Sequence, residues 1–273
     1  MFRRQGALAL ATVLLLSACS TEAAQQEQEV TTALPAAILG DAPPPQGETV
    51  TYVADDPSTR GYLAVPEGEG PFPALILIHE WNGLVDRVRQ VADAFAEQGY
   101  IALAADMYQS RTGSNREENM ALMQEARANP DAMIANLDAA QRFLRERDDV
   151  TGKVGVMGWC FGGGVALSYA LGGEQHDATA IFYGFLVEDP EVLARIDHPV
   201  YGTFAATDNA IPADQVERFA AALDSIGIDK DIHIYDAVNH GFWLWVDRDR
   251  ETNEAPALSA WQRLLEFLGQ TVG

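Results

Sequence analysis

Gly158-Trp159-Cys160-Phe161-Gly162 lies between the apolar run Lys153–Met157 and the helix-compatible stretch Phe161–Leu171. A glycine-flanked nucleophile between a strand and a helix is the signature of a nucleophile elbow, here with sulfur in place of the usual serine oxygen. The spacing has a physical reason. The nucleophile must stand on a sharp turn, and the flanking glycines let strand and helix approach without Cβ clashes. The start of the helix then aims unpaired amides and the positive dipole end at the sulfur, which favours a thiolate and a developing oxyanion. The alternative reading of Cys160 is a small buried hydrophobe before a glycine-rich turn.

Outward from the elbow, strand and helix patterns alternate. Thr49–Ala54 and Gly61–Val65 read as a hairpin pair across Asp56-Pro57-Ser58. Ala74–His79 is an unbroken apolar run, as expected of a strand covered on both faces. A helix is expected near Val85–Glu97, a strand at Tyr100–Ala105, and helices at Asn115–Ala128 and Asp131–Arg147. In the last of these, Met133, Leu137, Ala140 and Leu144 share one stripe. Strands at Ala178–Tyr183, Val200–Ala205 and Asp231–Tyr235 then alternate with helices at Pro212–Ser225 and Ala257–Gly269. The pattern predicts an α/β fold with a mostly parallel central sheet and helices on both faces.

A cysteine nucleophile needs a base, and the base needs an orienting carboxylate. Asp208 follows the strand Val200–Ala205, and His240 follows Asp231–Tyr235. Both therefore fall at C-terminal strand ends, where open α/β sheets place their sites. Taken singly, Asp208 reads equally as a helix cap and His240 as a surface histidine. Together with Cys160 they give the order nucleophile, acid, histidine at three strand ends. His176, His198 and His233 hold bland loop or strand positions, and His79 ends a strand beside Glu80. No histidine or cysteine cluster has metal-ligand spacing, and no lysine follows Gly162-Gly163-Gly164 as a phosphate loop requires. No metal and no cofactor is expected.

The 273 residues suit one α/β domain with a leader. Met1–Arg4 carries two arginines, Ala7–Leu16 is an apolar run too short to span a bilayer, and Leu16-Ser17-Ala18-Cys19 follows. The segment resembles a bacterial lipobox, whose cysteine becomes the lipidated first residue; an ordinary signal peptide is the alternative. Residues 1–18 are thus expected to be a lipoprotein signal peptide, 19–48 a lipidated Cys19 with a flexible, proline-ending tether, and 49–273 the folded domain. The expected location is a bacterial membrane surface, facing the periplasm or cell exterior. With Cys19 acylated, Cys160 is the remaining cysteine and has no disulfide partner. Formal net charge is −22; without Arg3 and Arg4 there remain 16 basic and 40 acidic residues, or −24. Such a surface repels nucleic acid.

Residues about 50–268 resemble the dienelactone hydrolase family. The matching segments are His79-Glu80-Trp81-Asn82-Gly83, Asp106-Met107-Tyr108, Gly158-Trp159-Cys160-Phe161-Gly162-Gly163, Asp208 and Asn239-His240-Gly241-Phe242. The resemblance implies an α/β-hydrolase fold, a Cys160–His240–Asp208 triad, no cofactor, and opening of small lactones and esters through a thioacyl-enzyme. It implies that Glu80 contacts the resting thiol and assists its ionisation. It also implies that the backbone amides of Phe161 and Trp81 form the oxyanion hole. Enzymes of this kind that open dienelactone hold its carboxylate with two arginines. Arg111 is the candidate for one; at the second position this chain has Leu244, within Phe242-Trp243-Leu244-Trp245. Phe242 and Trp243 are accordingly candidate substrate contacts, with core packing the alternative for that run, and a neutral, fairly apolar substrate is expected. The expected function is a carboxylic-ester or lactone hydrolase; its rival is a catalytically silent binding lipoprotein of the same fold.

Overall fold

Ala74 to Ile78 have no exposed surface, so neither side of that strand faces solvent. That is what an unbroken apolar run demands, and it places this strand at the centre of a two-faced sheet. The computed structural model describes Met1, residues 33–54 and residues 56–273. Residues 2–18 of the expected signal segment, and Cys19, lie outside the described residues.

The strands are β1 (Glu48–Val50), β2 (Gly61–Ala64), β3 (Phe72–Ile78), β4 (Ile101–Ala105), β5 (Val150–Trp159), β6 (Ala178–Phe182), β7 (Val200–Ala205) and β8 (Lys230–Tyr235). The helices are α1 (Ala36–Leu39), α2 (Asp86–Glu97), α3 (Arg116–Arg127), α4 (Pro130–Arg145), α5 (Phe161–Gly172), α6 (Pro190–Leu193), α7 (Ala213–Ser225) and α8 (Arg250–Thr271). One sheet runs β1-β2-β4-β3-β5-β6-β7-β8. β1 and β2 are antiparallel to their neighbours, and β3 to β8 are mutually parallel. Side chains alternate across the strands. Leu75, Leu77, Met157, Trp159, Ala180 and Phe182 pack under α2 and α8. Ile76, Ile78, Val154 and Val156 pack under α4 and α5, and Ile181, Val200 and Phe204 under α5 and α7. The result is the α/β-hydrolase architecture, with helices on both faces.

The register of the sheet assembles the site. Ile78 pairs with Gly158, Trp159 with Phe182, and Ala205 with Tyr235. The parallel strands therefore end at one level. The residues immediately beyond them, Glu80, Cys160, Asp208 and His240, emerge from the same edge.

The expected start of the domain at residue 49 is corrected. Leu34, Ala37 and Ile38 are buried in the core beneath α2 and α8, so part of the expected 19–48 tether belongs to the fold. α1 begins after Pro35 and ends on Gly40, whose φ of 84° closes the turn. Arg87 on α2 donates to the carbonyls of Ala37 and Ile38 at 3.1 and 3.2 Å, which fastens the segment.

Candidate active site

Cys160 occupies the turn between β5 and α5 with φ 55° and ψ −114°. A left-handed conformation at a non-glycine residue costs on the order of 1–3 kcal/mol and persists only where its surroundings impose it. The glycines on either side are part of that imposition. A Cβ on Gly158 would meet the Gly162 carbonyl oxygen at 2.3 Å, and one on Gly162 would meet that of Ile78 at 2.2 Å. Strand and helix can approach this closely only without side chains there. Cys160 also donates its backbone N–H to Phe182 across the sheet at 2.9 Å.

Phe161 is the first residue of α5, so its N–H has no acceptor within the helix. Trp81 follows β3, and among the described residues its N–H has no backbone acceptor. The loop carrying Glu80 and Trp81 is fixed by buried His79. Nδ1 of His79 meets the Glu80 carbonyl at 2.6 Å, and Nε2 accepts the Met107 N–H at 3.1 Å. These partners assign a neutral ring protonated on Nδ1, in agreement with the lowering of its pKa by burial.

Asp208 is buried and fully used. Oδ2 lies 2.6 Å from Nδ1 of His240, and Oδ1 accepts the amides of Ala210 at 2.7 Å and Ile211 at 3.3 Å. Thr207 donates its hydroxyl to the Val238 carbonyl, joining the loops that carry Asp208 and His240. Burial opposes charge on His240, but Asp208 and Cys160 outweigh it and its pKa is pushed up to about 10. Burial likewise opposes charge on Asp208, and the bond to His240 with the two amides holds its carboxyl below the usual range. The Tyr183 ring packs 4.9 Å from that of His240.

Glu80, Trp81, Cys160 and His240 line one cleft of about 400 Å³. The carboxylate of Glu80 points to a partner that the sequence did not suggest: Oε2 accepts the indole N–H of Trp245 at 2.6 Å.

Three expected substrate contacts are corrected. Arg111 pairs with Glu125 through two hydrogen bonds of 2.9 and 2.7 Å and lines a different cavity, of about 410 Å³. α3 contributes Leu122 and Glu125 to that cavity, and Arg116, Met123 and Arg127 to the cleft of Cys160. Trp243 has no exposed surface and stacks on Trp159 at 5.6 Å; Phe242 is packed between Tyr183 and Tyr235. The apolar run therefore fills core, and burying each such ring stabilises the fold by about 1.5–3 kcal/mol. The expectation of a neutral, fairly apolar substrate, which rested on that run, loses its basis. Arg116, Arg127 and Arg248 all line the cleft, with Tyr183 and Phe185. Arg127 sits 4.6 Å over the half-exposed Phe185 ring. A signal for Arg248 existed in the sequence, since it lies eight residues beyond His240. The faces presented by Arg116 and Arg127 had none, because the apolar stripe of α3 is short: Leu122, Met123 and Ala126 are only partly buried against the core, and Asn119 is the helix's one buried residue.

A second cluster joins histidines that looked unremarkable. His176 and His198 are buried at the opposite edge of the sheet, and each places Nε2 2.8 Å from the Thr179 hydroxyl. Among the described residues, no group of three or more His, Cys, Asp or Glu side chains could hold a metal.

Comparison with known proteins identifies the family. The model of the dienelactone hydrolase family matches residues 59–272. "Protein usf" of Aquifex pyrophilus is 30% identical over 227 residues, covering 81% of this chain and 97% of its own. A chain of Aquifex aeolicus, provisionally named a carboxymethylenebutenolidase, is 28% identical with the same coverage. Among solved structures, a provisionally named dienelactone hydrolase of Klebsiella pneumoniae superposes with a TM-score of 0.72 at 24% identity, covering 82% of this chain and 98% of that one, which shows the fold. With the family model spanning most of the sequence and the fold in agreement, this chain belongs to the dienelactone hydrolase family and is a hydrolase of carboxylic ester bonds.

Proposed function

We propose that the chain hydrolyses carboxylic esters or lactones through a Cys160–His240–Asp208 triad and a thioacyl-enzyme. The observation that carries this is the 2.6 Å contact of His240 with Asp208 in the same cleft as a Cys160 held at φ 55°. The proton of the thiol passes to His240. The thiolate attacks the carbonyl carbon, and the oxyanion takes hydrogen bonds from the N–H groups of Phe161 and Trp81. Such a donor is worth about 3–4 kcal/mol of barrier. On collapse the C–O bond breaks and His240 returns the proton to the leaving alkoxide. His240 then removes a proton from water, the hydroxide attacks the thioester, and the acid leaves as Cys160 is restored. Cys160→Ala should abolish turnover of a short aryl ester while the protein stays folded. Retained turnover would refute Cys160 as the nucleophile, whereas a natural chain that turns over no ester or lactone would favour the binding-protein reading.

The cleft favours a substrate that carries an anionic group. Arg116, Arg127 and Arg248 line it, and a guanidinium binds a carboxylate through paired, charge-assisted hydrogen bonds. These cations provide a local positive wall within a chain of net charge −22.

Cys19, outside the described residues, is proposed as the lipid attachment point of an exported protein, following cleavage after Ala18. The support is the order of charge, apolar run and Leu16-Ser17-Ala18-Cys19. Cys19→Ala should move the protein from the membrane pellet to the soluble fraction; unchanged fractionation would contradict lipidation.

A further inference from the structure

Glu80 is 5% exposed and stands beside the proposed nucleophile and base. A buried carboxylate is costly unless hydrogen-bonded. Its partner, Trp245, comes from the loop five residues beyond His240, and the 2.6 Å contact is short for N–H···O, as expected when the acceptor is charged. The indole is braced on its ring by two cations. The guanidinium carbon of Arg248 lies 4.3 Å from the ring centroid and that of Arg87 lies 4.7 Å away. Cations against an indole withdraw electron density and make its N–H a better donor. Arg87 is itself immobilised. Nη1 donates to the carbonyls of Ala37, Ile38 and Leu244, and Nη2 pairs with Asp247 at 3.0 Å. The Trp245 backbone N–H closes a turn on Gly241 at 3.1 Å, immediately after His240.

The charged groups facing Glu80 are His240, Arg248 and Arg87, all of which favour its ionised form; the Tyr183 hydroxyl is the remaining titratable neighbour. Burial acts against them and raises the Glu80 pKa. Around His240 the charged or titratable neighbours are Asp208, Cys160 and Tyr183, whose ring packs 4.9 Å away, with Glu80 beyond them. The indole N–H is the hydrogen-bond donor that favours the ionised form of Glu80 against its burial.

We propose that Trp245 is a positioning residue: its indole N–H, braced by Arg87 and Arg248, holds the Glu80 carboxylate facing His240 and so sustains the Cys160 thiolate–His240 imidazolium pair. This rests on the Cys160–His240 reading given above. The only proton moved is the one that leaves the Cys160 sulfur for His240. Because Asp208 bonds directly to His240 and Glu80 acts from further away, the expected effect is smaller than that of the triad aspartate.

The test uses the full chain and reads the rate of Cys160 alkylation by iodoacetamide, a neutral probe, from pH 4 to 10. It compares the natural chain with Trp245→Phe, Glu80→Gln and the double variant. Phenylalanine keeps a ring against the two guanidinium groups and removes the N–H. Trp245→Phe is expected to raise the midpoint of the alkylation profile by about half a pH unit or more, a roughly threefold change in the thiolate equilibrium. It should lower kcat for a short aryl ester by about the same factor or more, with KM nearly unchanged. In the Glu80→Gln background the same substitution should move the midpoint no further, because the effect runs through the carboxylate. Arg248→Gln, at an exposed position, should move the midpoint in the same direction by less, and it covers the case in which Trp245→Phe fails to fold. A midpoint unmoved by both substitutions overturns the proposal, as does a Trp245→Phe shift that persists in full when Glu80 is already Gln. If iodoacetamide leaves Cys160 of the natural chain unlabelled while turnover continues, the nucleophile assignment itself falls and this inference falls with it.

Discussion

Asp208 and His240 stand 32 residues apart in sequence and 2.6 Å apart in space, and the Asp208 carboxylate has no oxygen to spare. One oxygen takes the imidazole Nδ1 and the other takes two backbone amides. The side chain is thus fixed by its own loop before it orients the histidine. β7 and β8 set the separation, because Ala205 pairs with Tyr235 and both loops leave the sheet at the same level.

Asp208→Asn should keep the loop and lose the chemistry. An asparagine oxygen can still accept the amides of Ala210 and Ile211, while its NH₂ would face Nδ1 of His240. The ring would then carry its proton on the other nitrogen, where it can no longer accept from the thiol. Amidation of a triad aspartate typically costs about 10⁴ in kcat. Steady-state kinetics with a short aryl ester, alongside a thermal melt within a few degrees of the natural chain, is the measurement. Near-normal kcat would show that Asp208 does not orient His240.

The two ends of the pH range should destabilise the protein for different reasons. His240 binds its proton more tightly folded than unfolded, with a pKa near 10 against 6.5. Its contribution is therefore fully present below pH 6.5 and is lost as pH rises through about 10. His176 behaves oppositely: burial and the neighbouring His198 lower its pKa from 6.5 to about 3, against the opposing effect of Glu174, Asp177 and Asp197. His198 is also lowered, by burial. Both contributions are present above pH 6.5 and fade as pH falls below it, that of His176 through about 3. Urea midpoints measured from pH 4 to 10.5 should show both limbs, and His240→Gln should flatten the alkaline one alone. An alkaline limb unchanged in that variant would contradict the His240 assignment.

Gly162→Ala should be far more damaging than Gly172→Ala on the same helix. The new methyl of the first would lie 2.2 Å from the Ile78 carbonyl and 2.5 Å from that of His79, forcing β3 and its loop away from the elbow. At Gly172 the nearest atom is the Arg195 guanidinium, 3.9 Å away. Replacing that C-terminal glycine by alanine should be close to neutral, within about 1 kcal/mol. Denaturant titration of both variants checks the contrast. Equal stabilities would mean that the close approach of β3 and α5 is not required.

Removing cations from the cleft should cost anionic substrates selectively. Arg127→Ala combined with Arg248→Ala should lower kcat/KM for an anionic lactone by roughly tenfold or more while changing a neutral ester of similar size much less. The loss should be larger at low salt, where charges are less screened. Equal losses on the two substrates would mean that these arginines support the structure and do not read charge.

Local patterns were legible in the sequence, and distant pairings were not. The elbow could be read because Gly158, Cys160 and Gly162 satisfy one tight turn together. The parallel strands could be read because burial on both faces leaves no alternation. Their parallel sense followed from strands and helices taking turns, whereas the placement of β4 outside β3 had no local signal. α1 has four residues, too few to show a period, and it passed for tether. α8 was expected to begin after Pro256, yet it starts at Arg250, where Asp249 caps the first turn and buried Asn253 anchors it. Phe242 and Trp243 could be read either as pocket or as core, since both demand apolar side chains, and only the stack with Trp159 decides for core. The contact of Trp245 with Glu80 spans 165 residues and follows from no local rule.

The central claim is that Cys160 becomes acylated in turnover. Rapid quenching of the full chain with a slowly deacylating aryl ester, followed by intact mass and peptide mapping, tests it directly. The predicted result is a mass gain equal to one acyl group, located on the peptide that carries Cys160, formed within the first turnover and lost at the rate of steady-state hydrolysis. Hydrolysis at an undiminished rate with no acyl group on Cys160 at any quench time would contradict the account.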